Sequence, residues 1–422
     1  MMKYPGLLDE DVSRIGVQES QMLNLISGKL VTDLVKTSLG PKGMSKIYID
    51  ILDEDTLTKH GGAFLRKVDV DHPAAKSVIE AVNTVDTHVG DGTTSSAILI
   101  GSLLDNAKDL LNMGIPVTVI IKGYERSLDY TLNVLDDVKI SSNNLDQKIM
   151  KQLLVTCLDG KALFDLYESQ EKILNLMIES ISCIRDFKNN YINTDDIKIE
   201  EKIGNISETQ LIRGTILDKT IDSSAMPRSI DNPKILLINE SLETMKTKSE
   251  SEIEITSPEQ MSQFLIQENT DLEILVKKII DADIDVVISR KGVNDFVQEA
   301  LAQKGIITIR RVKYNDLWWL EKATGAKTCK DIHKISVDEI GYAKKIYEKI
   351  IGGDKMIFVE GVNPKSVTLL LRANSKRYLD ELHRNALNGF KVLKNFIENP
   401  FIVFVAGSIE GIIAEKIRNH AS

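Results

Sequence analysis

Along residues 17–38 the apolar positions Met22, Leu25, Ile26, Leu30, Val31 and Val35 recur every three or four residues. This is the spacing of one helix face, and it stops at Leu39-Gly40-Pro41-Lys42-Gly43. Residues 46–52 alternate as a strand does, 53–56 read as a turn, and 57–62 lead back into helix. Helical spacing returns over 73–85 and breaks at the glycine loop 89–94. It resumes to Gly114 and again over 117–138. The first stretch of the chain, to about residue 140, therefore predicts helices joined by tight glycine loops.

Beyond the polar break 141–146 the helical texture continues to a loop at 186–196, after which short, partly alternating runs take over at 197–204, 209–218 and 234–243. Helix is predicted over 258–282, then a strand–helix–strand series over 284–312, two further strands at 354–362 and 366–373, and helix from Tyr378 to Phe396. The order is helical, mixed, α/β, mixed, helical. That order predicts an inner domain inserted into an outer one.

At 422 residues the chain has room for two or three domains, and its 42% hydrophobic and 27% charged residues are those of a folded globular protein. The net charge of −9 supplies no excess cation for phosphodiester backbones, so general nucleic-acid binding is disfavoured. Cys157, Cys183 and Cys329 form no CxxC pair, which fits a reducing cytoplasm rather than a disulfide scaffold. Residues 1–16 carry no long apolar core, so no leader peptide is expected, and no run reaches the length of a membrane span.

Two glycine loops could carry chemistry. In Gly90-Asp91-Gly92-Thr93-Thr94-Ser95-Ser96 the chain turns directly into an apolar helix. The free N–H groups of that helix start, with the Thr93, Thr94 and Ser95 hydroxyls, suit phosphate oxygens, and Asp91 could hold Mg²⁺. The plainer reading is an ordinary helix N-cap. The loop at 39–43 could likewise be a simple helix stop. Neither loop fits GxxxxGK[ST] or GxGxxG.

LVKTSLGPKGMSKI, VDVDHPAAKSVIEAV, VGDGTTSSAILIGSLL and GIPVTVIIKGYE occur in the order and spacing of the group II chaperonins, the archaeal thermosome and eukaryotic TCP-1 ring family. The resemblance continues through TCLDGKA (156–162), ETQLIRGTILDK (208–219), residues 289–313, EKATGA (321–326) and DKMIFVEGVNPKSVTLLLRA (354–373). It implies a multi-domain α and α/β fold in three tiers. These are an equatorial ATP-binding domain of residues 1–146 with 404–422, an intermediate hinge of 147–214 with 367–403, and an apical substrate-binding domain of 215–366. The apical tier would carry a lid protrusion at about 240–270 and a substrate-facing helix at 294–303. The resemblance further implies that Leu39, Gly40, Pro41 and Gly407 contact nucleotide and that Asp91 holds Mg²⁺. Gly92, Thr93, Thr94 and Ser95 would cradle phosphates, and Lys161 would sense the terminal one. The implied cofactors are ATP and Mg²⁺, the implied partners non-native polypeptides and other chaperonin subunits.

The chain departs from that pattern at places that matter for turnover. The family's Asn-Asp-Gly is Lys59-His60-Gly61 here, and its water-activating Asp in the later helix falls on Asn388. Asn can hydrogen-bond a water but cannot take its proton. A glycine triplet reads Val405-Ala406-Gly407, the glycine after LLLR is Ala373, and the sequence stops 15 residues after Gly407, where relatives continue. Two functions from different classes follow: an ATP-driven folding subunit, or a degenerate, non-hydrolysing paralogue acting as an interaction, holdase or ring-capping protein. Trp318 and Trp319, at positions polar in relatives, are expected either to pack or to meet a partner.

Overall fold

The computed structural model describes residues 15–40, 42–50, 55–142, 146–158, 167–186, 191–243, 258–330 and 332–421. The chain divides into two compact units, residues 1–178 with 380–422 and residues 179–379. In sequence, residues 179–379 thus interrupt the other unit.

The first unit begins with α1 (Val17–Lys36), the hairpin β1 (Lys46–Ile49) and β2 (Asp55–Thr58), then α2 (Gly61–Lys67), α3 (Pro73–His88), α4 (Thr93–Asn112) and α5 (Val117–Val138). A two-residue strand β3 (Ile140–Ser141) and helices α6 (Gln147–Leu158) and α7 (Tyr167–Ile184) follow. Residues 55–58 begin inside the expected turn and are instead a strand, paired antiparallel with Lys46 opposite Thr58 and Ile47 opposite Leu57. Their Asp-Thr-Leu-Thr composition hides the alternation that pairing imposes.

Close approach of α1 and α4 organises this unit. A Cβ at Gly101 would collide with the Thr32 side chain, and one at Gly28 would lie 2.8 Å from a Leu104 methyl. Gly28 against Leu104 and Thr32 against Gly101 make the two helices antiparallel. The loop at 37–43 therefore lies at the same end as the N-terminus of α4. Val31, Val35, Leu65, Val78, Val82 and Ala97 fill the core between α1, α2, α3 and α4. The opposite faces remain apolar and uncovered: Leu30 and Leu99 are each 61% exposed, and Leu128 of α5 is 58% exposed. Contiguous apolar surface of this kind is characteristic of a partner interface.

The second unit is built on sheets. Strands β4 (Ile197–Ile203), β5 (Gln210–Ile212), β6 (Gly214–Leu217), β7 (Ser229–Asp231) and β8 (Lys234–Ile238) precede α8 (Pro258–Asp281). Then come β9 (Val286–Ser289), α9 (Asp295–Gln303), β10 (Ile307–Ile309), α10 (Tyr314–Thr324), β11 (Gly341–Ile351), β12 (Asp354–Gly361) and β13 (Val367–Ala373). A seven-stranded mixed sheet runs β10-β9-β8-β11-β12-β6 with β7 beside β11, and a three-stranded sheet runs β4-β13-β5. In β8, Ile235 and Leu237 join one core with Leu317 and Leu320 of α10, while Leu236 and Ile238 join another with α8 and α9. The period-two alternation of a strand divides its side chains between the two helical layers, so β8 reads as a continuous apolar run.

Strand β11 escapes the sequence pattern because its pairing with β12 shifts register between Ala343 and Lys345. One extra residue moves the alternation out of phase, so the buried Ala343 and Ile346 lie three apart. Of the predicted lid at about 240–270, residues 244–257 lie outside the described residues, and 258–270 belong to the start of α8. The two tryptophans pack: the Trp319 indole donates to the Asp195 carbonyl at 2.9 Å, and Lys322 sits 3.9 Å over the Trp318 ring while pairing with Asp196.

The chain returns to the first unit through α11 (Lys376–Glu398), β14 (Phe401–Ile402) and α12 (Ser408–Ala421). Strand β14 pairs with β3, and α12 lies on α5, where His420 stacks on Tyr130 with ring centroids 4.2 Å apart.

Lys198 carries a deep charge that ties β4 to α10. Its ammonium donates to Asp316 and to the Ile216 carbonyl, both at 2.6 Å, and is within 3.4 Å of Glu200. Removing it strands the buried Asp316 carboxylate, so Lys198→Ala should cost about 3–5 kcal/mol, against much less for the double replacement Lys198→Met, Asp316→Leu. Tryptophan fluorescence during urea unfolding reads this directly, because Trp319 lies 5.1 Å from the same ammonium. A second expectation concerns alkaline pH. Burial, with the hydrogen bond to Glu360, pushes the Tyr347 phenol up to about 12. A phenol whose folded value exceeds its unfolded value of about 10 stabilises the fold below that value, and loses the effect as pH rises through the folded one. Absorbance titration should show one tyrosine ionising near the upper value, absent in Tyr347→Phe.

Candidate phosphate-binding site

The site forms where α3 ends and α4 begins. Helix α3 stops at His88 with Gly90 at φ 82°, and Gly92 at φ 78° is the N-cap of α4. Both angles lie in the left-handed region that side chains resist. Gly90 also has no room for a Cβ, which would sit 2.7 Å from Cβ of Lys391 and 3.0 Å from the Asn388 carbonyl. Gly92 meets nothing within 4 Å, so its side of the loop is open.

The two helix ends at this loop are treated in opposite ways. The C-terminal carbonyls of α3 are closed off by α11: Lys391 donates to the Asp86 carbonyl at 2.9 Å, and Asn395 donates to those of His88 and Val89 at 3.2 and 3.3 Å. A cation at this end is favoured by the helix dipole. The α4 start has no side-chain cap at all. Its first N–H groups have no intrahelical acceptor, so they present positive partial charge at an open glycine loop. That is a donor set for an anion.

Thr93 is buried, and its hydroxyl accepts from the Gly62 amide at 3.3 Å. Thr94 is half-buried and Ser95 exposed. Asp91 is half-buried beside the open loop. Leu39 is exposed at the α1 terminus, and Gly40 takes φ 84° there. The antiparallel packing of α1 on α4 brings that turn to the α4 N-terminus. Gly407 is exposed with φ 83°, next to Ala406 at φ 63°, where the methyl side chain incurs strain that glycine would avoid. The described contacts of α12 run to α5. Pro41 and Lys161 lie outside the described residues.

His60 is only 4% exposed and caps α2: its Nδ1 accepts from the Ala63 amide at 3.2 Å. Its Nε2 lies 3.4 Å from both Asp86 Oδ1 and Thr93 Oγ1. Nδ1 must therefore carry the lone pair and Nε2 the proton, close to both the Asp86 carboxylate and the Thr93 hydroxyl. Arg66 pairs with the other Asp86 oxygen. An imidazole used this way ties the α2 turn to the phosphate loop and has no basic nitrogen to spare in this arrangement. Sequence alone placed His60 at a family carboxylate position. It did not reveal Asp86 and Arg66, which lie 26 and 6 residues further along the chain and converge only in the fold.

Asn388 is 5% exposed on α11, with its carbonyl against Gly90, so it does lie beside the loop. Among the described residues no group of three or more His, Cys, Asp or Glu converges as a metal cage, and no helix is long and apolar enough to cross a membrane.

The model of the TCP-1/cpn60 chaperonin family matches residues 31–422. A thermosome subunit of Pyrococcus horikoshii is 36% identical over 98% of this chain and 76% of its own length. Thermosome subunit beta of Thermococcus kodakarensis and thermosome subunit alpha of Sulfurisphaera tokodaii are each 36% identical with the same coverage. With a matching family model over nearly the whole chain and relatives at this level, the chain belongs to the TCP-1/cpn60 chaperonins, in their group II branch.

Proposed function

We propose that this chain is an ATP- and Mg²⁺-binding chaperonin subunit of the cytoplasm that assists protein folding by holding non-native polypeptides, together with other chaperonin subunits. The observation that carries the reading is the uncapped N-terminus of α4 behind an open Gly92, where phosphate oxygens would find N–H donors. The residues fit a magnesium nucleotide. The amides and hydroxyls of Thr93, Thr94 and Ser95 would take phosphate oxygens, and Asp91 would contribute one hard oxygen to a Mg²⁺ otherwise held by phosphate and water. The turn of Leu39, Gly40 and Pro41 would border the nucleotide, with Lys161 and Gly407 contributing as the family pattern implies. When bound, the magnesium nucleotide supplies a charged ligand whose contacts can differ between conformations.

The domain reading is part of this proposal: equatorial 1–146 with 404–422, intermediate 147–214 with 367–403, apical 215–366. Nucleotide would bias lid movement only as far as it binds the open and closed forms differently. The exposed apolar faces of α1, α4 and α5 support association with other subunits.

The state of His60 and Asn388 favours a second reading, in which nucleotide is bound but scarcely hydrolysed. His60 Nδ1 is taken up by the Ala63 amide, and the Asn388 amide cannot accept a proton. The chain would then act as a holdase, an interaction protein or a ring cap.

Titration calorimetry with Mg²⁺–ATP should give measurable binding that disappears on chelating Mg²⁺. Asp91→Ala should weaken it by about ten- to hundredfold, the scale of one lost charged contact. No heat at millimolar ATP would overturn the nucleotide reading. Phosphate release should be slower than for an active thermosome by roughly 10²–10⁴-fold, the usual contribution of a general base. His60→Asp with Asn388→Asp should recover part of that rate, at some loss of stability because a carboxylate at position 60 would face that of Asp86. Turnover of the unaltered chain equal to an active relative's would refute the degenerate reading.

A further inference from the structure

Helix α11 carries a polar stripe, buried over its first three members. Glu381, Asn385, Asn388, Lys391 and Asn395 follow at spacings of four, three, three and four, so they share one face. Most members have an evident purpose in the ligand-free chain. Glu381 pairs with Arg384 at 2.8 Å, and Lys391 and Asn395 close the end of α3. Asn385 does not. It is 1% exposed, and both its Nδ2 and its Oδ1 are buried without a hydrogen-bond partner.

Two orphaned amide atoms in a protein interior are costly, and native structures rarely leave them so. The position of this residue suggests what completes it. Its neighbour Arg384 donates to the Leu57 carbonyl at 3.2 Å, just before the turn that His60 caps. One turn on, Asn388 and Lys391 press against Gly90. The segment of α11 bearing Asn385 thus lies between the α2 turn and the phosphate loop. The nearby carboxylates carry cations of their own: Asp86 pairs with Arg66 and Glu381 with Arg384.

Resting on the nucleotide reading above, we infer that Asn385 is a ligand of the terminal phosphate of a bound nucleoside triphosphate. Its Nδ2 donates to a phosphate oxygen and its Oδ1 accepts from a water on that group. An amide satisfies donor and acceptor together, as this pairing requires, and being neutral it holds the water without removing its proton. The terminal phosphate is then recognised by side chains that cannot activate its hydrolysis. Asn385 makes the site selective for the triphosphate.

The test compares the full chain with Asn385→Leu, which keeps the volume and removes both polar atoms, and with Asn385→Ser, which keeps a small hydroxyl. Mg²⁺–ATP and Mg²⁺–ADP affinities are measured by calorimetry, and the nucleotide-free melting temperature is recorded alongside. In Asn385→Leu, ATP affinity should fall about tenfold or more while ADP affinity stays near that of the unaltered chain. The nucleotide-free melting temperature should rise, because a stranded amide has gone. Asn385→Ser should fall between. If the Leu variant does not fold, the ATP-to-ADP ratio of the Ser variant decides. An unaltered chain that prefers ATP, with variants that keep the same preference, overturns this inference alone. So does an unaltered chain that binds ATP and ADP equally. An unaltered chain that binds neither nucleotide overturns the nucleotide reading and this inference with it.

Discussion

The seating of Gly90 on α11 is the constraint on which the rest of the site depends. A loop that must hold two left-handed glycines is not stable by itself, and here it is fixed by a surface that would reject any side chain at position 90. The same contact lets Lys391 and Asn395 neutralise the end of α3. What is left over is the start of α4, which no side chain caps. Of two adjacent helix ends, one is satisfied internally and the other is kept available. Antiparallel packing through Gly28 and Gly101 then brings the α1 turn to the same place.

The family's frame with altered chemistry explains the remaining features together. His60 occupies a position where a carboxylate would face the ligand, and it is turned to another use, capping α2 and bridging Asp86 to Thr93. This substitution does not leave a hole. At the position that the family pattern gives to a carboxylate, His60 acts as a helix cap, and Asn388 stands at the other such position on α11. On the proposed reading the site would suit phosphate, with His60 and Asn388 unable to serve as a base.

Much of this was legible in the sequence, for physical reasons. Helix periodicity over 17–138 and the glycine breaks gave the helices of the first unit, because an amphipathic helix repeats its pattern over several turns. The runs at 235–238 and 286–288 were legible as strands, and the fold shows that they are covered on both faces. The strands at 55–58 and 341–351 were hidden, the first by polar composition and the second by a bulge that shifts its alternation. At the site, the phosphate loop was readable because its glycines and hydroxyls are contiguous. Asp86 and Arg66 were not, since their convergence on His60 arises from contacts between α2 and α3 that no local pattern announces. The resemblance to chaperonins located the positions of His60 and Asn388. Only the fold shows that the imidazole caps α2 through Nδ1.

The central claim is that the open start of α4, braced by α11, receives the phosphates. Backbone amide hydrogen exchange with and without Mg²⁺–ATP tests it most directly. The account predicts that ATP slows exchange at residues 93–95, the first turn of α4, whose amides precede the first intrahelical bond, and steadies the α11 segment 385–395. ATP binding that leaves exchange at 93–95 unchanged while protecting another part of the chain would contradict it.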